Sequence, residues 1–570
     1  SMSALAGILN LNGAPVDRRA LAWDGRLDNR HELISQLRDS VDNASTDIDT
    51  VMASYLRWGI DFLPHLIGDF ALSLWEPATR TLILARDAFG TRPIYYHANP
   101  HRILWSSDLA SLIDVAKITI EIDREYIASY LNSTPYLERT AYRGIHSVRP
   151  GSALIVRRDG IEKLAFWRPD VKREIRYQSD SEYEEHFRNL FREAVRCRLR
   201  SDGPVWAELS GGLDSSSIVC MADHIIKSGE AETSRLETVS YVYDNSPASD
   251  ERRFIGEVEG ARGRTGHHFH EDESVGRFLS LNFAAVVRPN PIYRFTARHD
   301  WVRARMQQTG SRVLLSGVAG DNLMWSRVDV SPQLADLLVQ LKFPSLHRHV
   351  TQWSHATHDS YAETLWRGAV RPNLSQRRSS TIIHPRFREQ INLVARTIDA
   401  TDTLGFQLPS TRTQARMLSS AIRAVASCYY RDRVLTEYRF PFLHRPLVEF
   451  VLAIPMDQKL RPGENRSLQR RALKHLLPPS ILRRQSKRTS AEALCRSLAN
   501  NWREIEWVFK EPRVCEYGFV DAAAFAETAK RIRHGTQNLS GELLSVLSVE
   551  LWLRALELRN SSSQEVKLAS

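Results

Sequence analysis

Short apolar runs separated by turns dominate the first third of the chain. Residues 68–87 (GDFALSLWEPATRTLILARD) contain two apolar runs joined by a proline-containing turn, which is the pattern of a β-hairpin. Residues 101–108 and 151–167 have the same character. The pattern predicts a β-rich sandwich over residues 1–170, followed by a polar and charged linker at 171–182.

The spacing of apolar positions changes after this linker. In residues 183–200 they recur three and four apart, which predicts an amphipathic helix. Strand-like runs follow at 204–209, 237–243 and 312–316, each leading into small or polar residues and a helical stretch. This order of strand, loop and helix predicts a parallel sheet with crossover helices.

The chain of 570 residues is too long for a single hydrophobic core. We therefore predict an α/β multidomain protein. The sandwich occupies residues 1–170, and a second domain with the parallel sheet and many helices occupies residues 183–558. The polar tail at 559–570 is expected to be disordered.

Composition narrows the expected setting of the protein. The five cysteines are dispersed and form no CxxC pair, which favours a reducing cytoplasm over a disulfide framework or a zinc site. The net charge is +10, but the arginines are spread along the chain and no nucleic-acid-binding motif is present. The longest apolar runs are too short to span a membrane. We expect a cytoplasmic protein with no nucleic-acid or membrane partner.

The stretch AELSGGLDSSSIV at 207–219 places two glycines, an aspartate and four serines directly after an apolar run. In an open parallel sheet, ligands bind where strands end and helices begin. Glycines let backbone N–H groups approach an anion, and the following helix directs its positive end at the same point. Asp214 beside phosphates indicates an intervening cation, so the stretch predicts a phosphate and Mg²⁺ site. The alternative is a Gly-Ser turn that only caps a helix.

A second loop, within residues 312–325, repeats this arrangement. The small and acidic residues after its apolar strand are Ser316, Gly317, Gly320 and Asp321. Asp214 and Asp321 could hold one Mg²⁺ between them, bridged to the phosphates of ATP. Either aspartate alone could instead be a helix N-cap. The pair in matching loops favours the metal interpretation.

At these residues the chain resembles a known family. SGGLDSSS and LLSGVAGD are similar to the pyrophosphatase-loop synthetase domain of the asparagine synthetase superfamily, which is an adenine-nucleotide alpha hydrolase-like domain. The stretches ARDAFGTRPIYY (85–96) and RGIHSVRPGSALIV (143–156), with FW at 166–167, resemble its N-terminal class II glutaminase domain, an Ntn-type αββα sandwich. TEYRFPFLHRPLVEFVLAIP (436–455) and LPPSILRRQSKRT (477–489) resemble its later segments.

The resemblance implies an adenylation reaction. The family transfers AMP from ATP to a carboxylate, releases pyrophosphate and lets an amine attack the acyl-AMP. It implies that Asp214 and Asp321 hold Mg²⁺, and that Ser316 and Gly317 lie near the nucleotide. The residues implied to hold pyrophosphate are Ser210, Gly211, Gly212, Asp214, Ser215 and Ser216.

The resemblance implies roles for four further residues. Ser240 and Tyr241 would flank the adenine. Glu437 would help the attacking amine lose its proton, because an α-amine is mostly protonated at neutral pH. Lys487 would neutralise the charge that develops on the phosphates and the reacting carbon. The alternatives are a salt bridge from Glu437 to Arg439 or Arg433, and an ordinary surface position for Lys487.

Two departures from the family concern the glutaminase domain. Working glutaminases of the family use an N-terminal cysteine as the nucleophile, and Ser3 stands at that position here. The family's NGEIYN segment resembles DGRLDN at 24–29, where Arg26 replaces the glutamate that helps hold the glutamine amine. Only 20 residues separate Ser3 from Asp24, where the family has a longer stretch. We expect a degenerate domain that does not hydrolyse glutamine.

Without glutamine as the ammonia source, the amine must come from elsewhere. The SGVAGD loop lacks the tyrosine of β-lactam synthetases, and the chain more closely resembles lasso peptide cyclases. Such a cyclase joins an internal Asp or Glu side chain of a precursor peptide to the peptide's own N-terminal amine, and the resemblance implies a separate leader-binding protein and leader peptidase. The alternatives are a glutamine-independent small-molecule amide synthetase and a catalytically dead nucleotide-binding scaffold.

A precursor peptide would need a pocket of its own. Candidates are residues 290–300, which precede the second loop, and the helical region 330–430. Tyr293, Phe295 and Arg298 could contact the peptide, although ordinary packing explains them equally well.

Overall fold

The strand Gly68–Glu76 shows how the first domain is layered. Its residues alternate between two cores: Phe70, Leu72 and Leu74 face one, while Ala71 faces the other. The structure is a computed structural model. The residues it describes are 5–11, 17–117, 121–170, 172–247, 249–271, 286–290, 296–326, 330–371, 382–403, 405, 408–428, 436–485, 495, 498–536 and 541–569.

Nine strands of the first domain form two antiparallel sheets. They are β1 (Ala6–Asn10), β2 (Ala20–Leu27), β3 (Gly68–Glu76), β4 (Thr81–Arg86), β5 (Tyr95–Ala98), β6 (Arg102–Ser106), β7 (His146–Ser147), β8 (Ser152–Arg157) and β9 (Gly160–Ala165). One sheet has the order β2-β3-β4-β8-β9 and the other has β1-β6-β5-β7. β3 pairs with β4 in the hairpin that the sequence predicted.

Helices cover both outer faces of these sheets. They are α1 (Arg30–Gln36), α2 (Asp47–Trp58), α3 (Leu109–Ala116) and α4 (Arg124–Leu131). α1 and α2 pack on the first sheet, and α3 and α4 pack on the second. The core between the sheets holds Leu82, Leu84, Ile103 and Leu154. The predicted αββα sandwich is therefore confirmed.

The second domain is built on a parallel sheet of five strands. They are β10 (Val205–Glu208), β11 (Leu236–Val242), β12 (His267–His270), β13 (Val313–Leu315) and β14 (Glu437–Arg439). The order is β12-β11-β10-β13-β14, and every neighbouring pair is parallel. β10 lies between β11 and β13, so the sheet reverses its direction of growth at β10. In open α/β sheets, ligands bind at such a switch point, beyond the carboxyl ends of the strands.

Helices bury both faces of this sheet, as the sequence pattern predicted. Those up to residue 402 are α5 (Asp180–Arg196), α6 (Leu213–Lys227), α7 (Arg252–Arg262), α8 (Thr296–Gln308), α9 (Gly320–Leu323), α10 (Ser331–Val339), α11 (Phe343–Thr357), α12 (Tyr361–Leu365) and α13 (Pro385–Asp402). Alternate residues of β10 explain the two-sided burial: Val205 and Ala207 face the larger core, and Trp206 packs with α8 on the other side.

The remainder of the chain is mainly helical. Its elements are α14 (Pro409–Cys428), α15 (Arg445–Ala453), α16 (Met456–Lys459), β15 (Leu460–Arg461), β16 (Glu464–Asn465), α17 (Ser467–Ala472), α18 (Pro479–Arg483), α19 (Trp502–Phe509), α20 (Arg513–Glu516), α21 (Ala522–Arg533) and α22 (Gly541–Ala569). In the part of the chain that the structure describes, no helix combines the length and apolar character needed to cross a membrane.

Two predicted boundaries differ from the structure. α5 begins at Asp180, inside the expected linker, because Ser179 and Glu182 form a capping box that starts the helix early. α22 continues to Ala569, so the prediction of a disordered tail at 559–570 is wrong over residues 559–569. That prediction was based on the polar composition of the tail and gave too little weight to the helical propensity of its residues.

Candidate functional site

Two loops meet at the carboxyl edge of the parallel sheet. One follows β10 and leads into α6, and the other follows β13 and leads into α9. Because β10 and β13 are adjacent and parallel, the loops lie side by side although about 100 residues separate them in sequence. Together they line a cavity of about 580 Å³, a volume typical of small-molecule sites.

The first loop is shaped by Gly211 and closed by Ser215. Gly211 has a φ of 65°, and a Cβ on it would lie 2.5 Å from the Cβ of Phe254, so a larger residue does not fit. The Ser215 hydroxyl accepts a hydrogen bond from the Ser210 N–H at 3.1 Å and donates one to the Gly212 carbonyl at 3.3 Å. The loop therefore leads directly into the N-terminus of α6. The positive end of the helix dipole makes this a favourable place for an anion.

Asp214 and Asp321 converge as the sequence predicted. The second loop reaches Asp214 because Gly320 has no side chain: a Cβ there would lie 2.5 Å from the Asp214 Cγ. Gln469 of α17 donates a hydrogen bond to Asp214 Oδ1 at 3.3 Å and so helps to fix that carboxylate. Arg466 contacts both aspartates, at 3.3 Å for Asp214 and through a direct ion pair with Asp321.

This donor set fits Mg²⁺. Two carboxylates that converge on a single guanidinium can also converge on a divalent cation, for which carboxylate oxygens are preferred ligands. Asp214 and Asp321 are the residues that would hold the ion. Arg466 would then be available to the phosphates of the bound nucleotide.

Four arginines that the sequence analysis did not assign to the phosphate site line the same cavity. They are Arg298, Arg466, Arg470 and Arg484. Arg484 donates to the Gly211 carbonyl at 2.9 Å and pairs with Glu251, so it braces the first loop. Arg466 has a φ of 52°, a conformation that costs energy for a residue with a Cβ and is typical of functional sites. The cavity thus combines two convergent aspartates with four arginine side chains.

The deeper wall of the cavity holds a second polar group. Glu208, the last residue of β10, accepts hydrogen bonds from the Tyr241 hydroxyl at 3.1 Å and the Ser316 hydroxyl at 2.5 Å. The Arg298 guanidinium lies 3.8 Å from the centre of the Tyr241 ring. The burial of Tyr241 and its contact with Glu208 raise the pKa of the phenol well above its ordinary value, so Tyr241 acts as a hydrogen-bond donor.

Most of the predicted binding residues line the cavity. Those that do are Ser210, Gly212, Asp214, Ser215, Tyr241, Ser316, Gly317 and Asp321. Gly211 does not line the cavity but shapes the loop that does. Ser216 and Ser240 are buried and do not line this cavity, so their predicted contacts stay predictions. Consecutive residues of a strand face opposite sides, so Ser240 and Tyr241 cannot both face the adenine, and the helical turn directs Ser216 into the core.

For Glu437, the structure shows the ion pair that the sequence analysis gave as the alternative, and the predicted catalytic role stays a prediction. Glu437 does not line the cavity but pairs with Arg439 at 2.9 Å and with Arg92 of the first domain at 2.5 Å. Burial alone would raise the pKa of the Glu437 carboxyl, but Arg439, Arg92 and Arg26 hold it well below its usual range. A carboxylate whose pKa is lowered in this way is a weak base and therefore a poor acceptor for an amine proton.

Arg26 belongs to the same buried network between the domains. It donates to Asp28 and to Asp69, each at 2.8 Å. Arg198 of the second domain contacts the same two aspartates at 3.2 and 3.4 Å. Arg26, at the position where the resemblance implies a glutamate, is therefore already compensated by acidic neighbours.

One cluster within this network has the residue types of a metal site. Asp28, Cys197 and His444 bring ligand atoms within 4.8 Å of one another. However, Asp28 is already paired with Arg26 and Arg198, and burial raises the pKa of the Cys197 thiol to about 12, which keeps it protonated. We assign this cluster to the ionic network rather than to a metal.

Five residues singled out in the sequence lie outside the described residues. They are Ser3, Tyr293, Phe295, Arg433 and Lys487. Arg298, the remaining candidate for peptide contact, lies in the cavity and also pairs with Glu271.

Comparisons with known proteins match each of the two domains to a protein family. Residues 186–554 match the asparagine synthase family, and residues 13–167 match the glutamine amidotransferase domain. The chain belongs to the asparagine synthase family. Membership of this family makes the protein an asparagine synthetase-like ligase that forms amides and uses ATP.

Curated relatives match different shares of the chain. "Asparagine synthetase [glutamine-hydrolyzing] 3" of Bacillus subtilis is 26% identical over 82% of this chain and 75% of its own length. "Amidase chry2" of Gibberella zeae is 31% identical over 49% of this chain and 42% of its own length. "Asparagine synthetase [glutamine-hydrolyzing] 1" of Bacillus subtilis is 32% identical over 35% of this chain and 32% of its own length.

Proposed function

We propose that the protein is an AMP-forming macrolactam synthetase, a lasso peptide cyclase. It adenylates an internal Asp or Glu side chain of a precursor peptide and joins that carbonyl to the peptide's N-terminal amine, releasing AMP and pyrophosphate. The observation that carries the proposal is the cavity in which Asp214 and Asp321 converge at the N-terminus of α6, in contact with Arg466 and beside three further arginines. The proposal includes a leader-binding protein and a leader peptidase as partners.

The residues of the cavity divide the work of adenylation. The N-terminus of α6 and Arg466, Arg470 and Arg484 bind the phosphates and oppose the negative charge that grows on pyrophosphate as it leaves. When bound, Mg²⁺ would neutralise phosphate charge, and Asp214 and Asp321 are the residues that would hold it. Lys487, which we predict to act on the same charge, remains a sequence-based proposal. The new bond joins the peptide carboxylate oxygen to the α-phosphorus, and the bond to pyrophosphate breaks.

The amine is proposed to come from the peptide and not from glutamine. In the first domain, Arg26 places a positive charge where the family holds the ammonium group of glutamine with a glutamate. Arg26 is buried and pairs with Asp28 and Asp69. A second cation at this place would be repelled and would also have to break these ion pairs. We therefore propose that the domain has no glutaminase activity.

An intramolecular amine suits the second half of the reaction. The N-terminal amine and the activated side chain belong to one molecule, so a pocket that holds the peptide in a folded form raises their effective concentration strongly. Arg298 of α8 and Ala424 of α14 line the cavity. They belong to the two segments, 290–300 and 330–430, that we propose to bind the peptide.

The second candidate is a glutamine-independent synthetase that acts on a small carboxylate. The similarity to asparagine synthetases favours it. The two candidates differ in the substrate that provokes cleavage of ATP, and the loop Ser316–Asp321, which lacks a tyrosine, favours the peptide reaction over β-lactam formation.

Pyrophosphate release with defined substrates tests both candidates. The purified protein is incubated with ATP, Mg²⁺ and synthetic peptides encoded by short reading frames next to its gene. The cyclase proposal predicts pyrophosphate release together with a peptide product lighter by one water. Pyrophosphate release with aspartate or other small carboxylates, and none with peptides, would instead support the second candidate. An absence of turnover in every case, with ATP still bound, would indicate a scaffold.

A further inference from the structure

Glu437 contacts arginine side chains from both domains. Its carboxylate contacts Arg92 Nη2 at 2.5 Å, Arg439 Nε at 2.9 Å and Arg26 Nη1 at 3.8 Å. Arg92 and Arg26 belong to the first domain, and Arg439 follows Glu437 by two residues on β14. The four side chains are 3–16% exposed, so water screens these contacts only weakly.

The same strand directly supports a loop of the nucleotide cavity. The backbone carbonyl of Arg439 accepts a hydrogen bond from the Ser316 N–H at 3.0 Å, at the start of the second loop. The Arg439 side chain donates to the carbonyls of Arg198 and Arg200 at 2.8 and 2.7 Å. Arg439 is thus fixed at both ends, and Ser316 lines the cavity next to Glu208.

We infer that Glu437 is a positioning residue that transmits support from the first domain to the ATP site. Arg26 and Arg92 fix Glu437, Glu437 fixes Arg439, and Arg439 fixes the Ser316 end of the second loop. The first domain is then an obligatory part of the synthetase, although it does not contribute to the cavity lining among the described residues. This inference rests on the proposed ATP site.

A positioning role and a role as the base for the amine lead to different predictions for the affinity for ATP. A base acts after adenylation, so its removal leaves the affinity for ATP unchanged and slows only amide formation. A positioning residue shapes the loop that binds the nucleotide, so its removal weakens ATP binding before any chemistry takes place. The affinity for MgATP in the absence of peptide therefore separates the two roles.

The experiment compares Glu437→Gln with Glu449→Gln by calorimetric titration of the full chain with MgATP. Glu449 is a matched control because it also joins the domains: it accepts a hydrogen bond from Trp167 Nε1 at 2.8 Å, but it lies on α15 and not on β14. We expect Glu437→Gln to raise the Kd for MgATP tenfold or more. We expect Glu449→Gln to leave it within twofold, even where its thermal midpoint falls by a similar amount.

The outcomes separate the inference from the proposed function. An unchanged Kd for MgATP in folded Glu437→Gln would overturn the inference. Wild-type protein that binds no MgATP would overturn the proposed function itself. Arg92→Lys is the milder second variant, which keeps the positive charge and tests the same contact from the first domain; we expect a smaller increase in Kd, and an unchanged Kd there would count against the inference as well.

Discussion

Two clusters of arginines and carboxylates lie in this protein, and they differ in what surrounds them. In the network between the domains, Arg26, Arg198, Asp28 and Asp69 pair with one another and are nearly inaccessible to water. In the cavity at the sheet edge, Asp214, Asp321 and the four arginines surround about 580 Å³ of open volume.

The difference teaches that residue type does not define a binding site by itself. Charges that neutralise one another in a filled interior contribute to the arrangement of the fold, and a ligand that entered would have to replace those contacts. Charges that face a cavity can exchange their internal partners for a ligand of the right charge. The predictions below test the two clusters separately.

The largest expected effect concerns the closed cluster. Arg26→Met removes the cation that pairs with Asp28 and Asp69 and leaves two buried carboxylates with reduced compensation. We expect the free energy of unfolding to fall by about 3–5 kcal/mol, measured by urea denaturation. Arg19→Met is the control, because Arg19 pairs with Glu76 at 2.7 Å but is 38% exposed, and we expect a loss of about 0–1 kcal/mol. Equal effects in the two variants would contradict the comparison.

The next effect concerns the open cluster. Asp214→Asn removes one of the two convergent carboxylates while preserving the shape of the side chain. We expect pyrophosphate release to fall by about 10²–10³-fold, with little change in the thermal midpoint. Asp202→Asn changes an exposed aspartate outside the cavity and should leave the rate unchanged. A fully active Asp214→Asn protein would show that the cavity is not the site of adenylation.

A smaller effect tests how closely the two loops approach each other. In Gly320→Ala, the new Cβ would lie 2.5 Å from the Asp214 Cγ, so one of the loops must shift. We expect a loss of about 1–3 kcal/mol in MgATP binding, measured by titration. Gly256→Ala in α7 is the control, because its Cβ would meet no atom within 4 Å. Unaltered binding in Gly320→Ala would mean that the aspartates do not need this close approach.

The smallest effect concerns a buried cation outside both clusters. Burial lowers the pKa of Lys459 to about 7 from an ordinary value of 10.5, with Asp457 and Asp336 opposing the shift. Above this pKa the unfolded chain binds a proton that the folded protein does not, so this residue makes the free energy of unfolding rise with pH. Between pH 6.5 and 7.5 the rise is about 0.7 kcal/mol.

Lys459→Met should abolish this rise, whereas the exposed Lys227→Met should retain it. The measurement is urea denaturation at several pH values. A rise that persists in Lys459→Met would show that another group titrates in this range.

Local sequence patterns predicted the backbone of the nucleotide site well. The loops after β10 and β13 were placed from the alternation of strand, glycine-rich loop and helix, because the geometry of parallel strands brings their carboxyl ends to one edge. Asp214 and Asp321 were paired by the same reasoning, and the structure places both against Arg466.

The direction of individual side chains was harder to predict. Arg466, Arg470 and Arg484 are three among many arginines. Contacts between residues distant in sequence bring their segments to the cavity, such as those of Gln469 with Asp214 and of Arg484 with the Gly211 carbonyl. The resemblance assigned Glu437 to catalysis, although Arg439 at i+2 on the same strand face was the local signal for an ion pair. Its partner Arg92 is 345 residues away, so no local pattern could have indicated it.

Arg198 has a consequence for engineered chimaeras. It is carried by the second domain, yet its side chain is 1% exposed because Asp28 and Asp69 of the first domain surround it. A synthetase half produced by itself would leave this guanidinium without either aspartate. Exchange of the first domain for that of a relative should therefore succeed only where the donor supplies acidic residues at both positions.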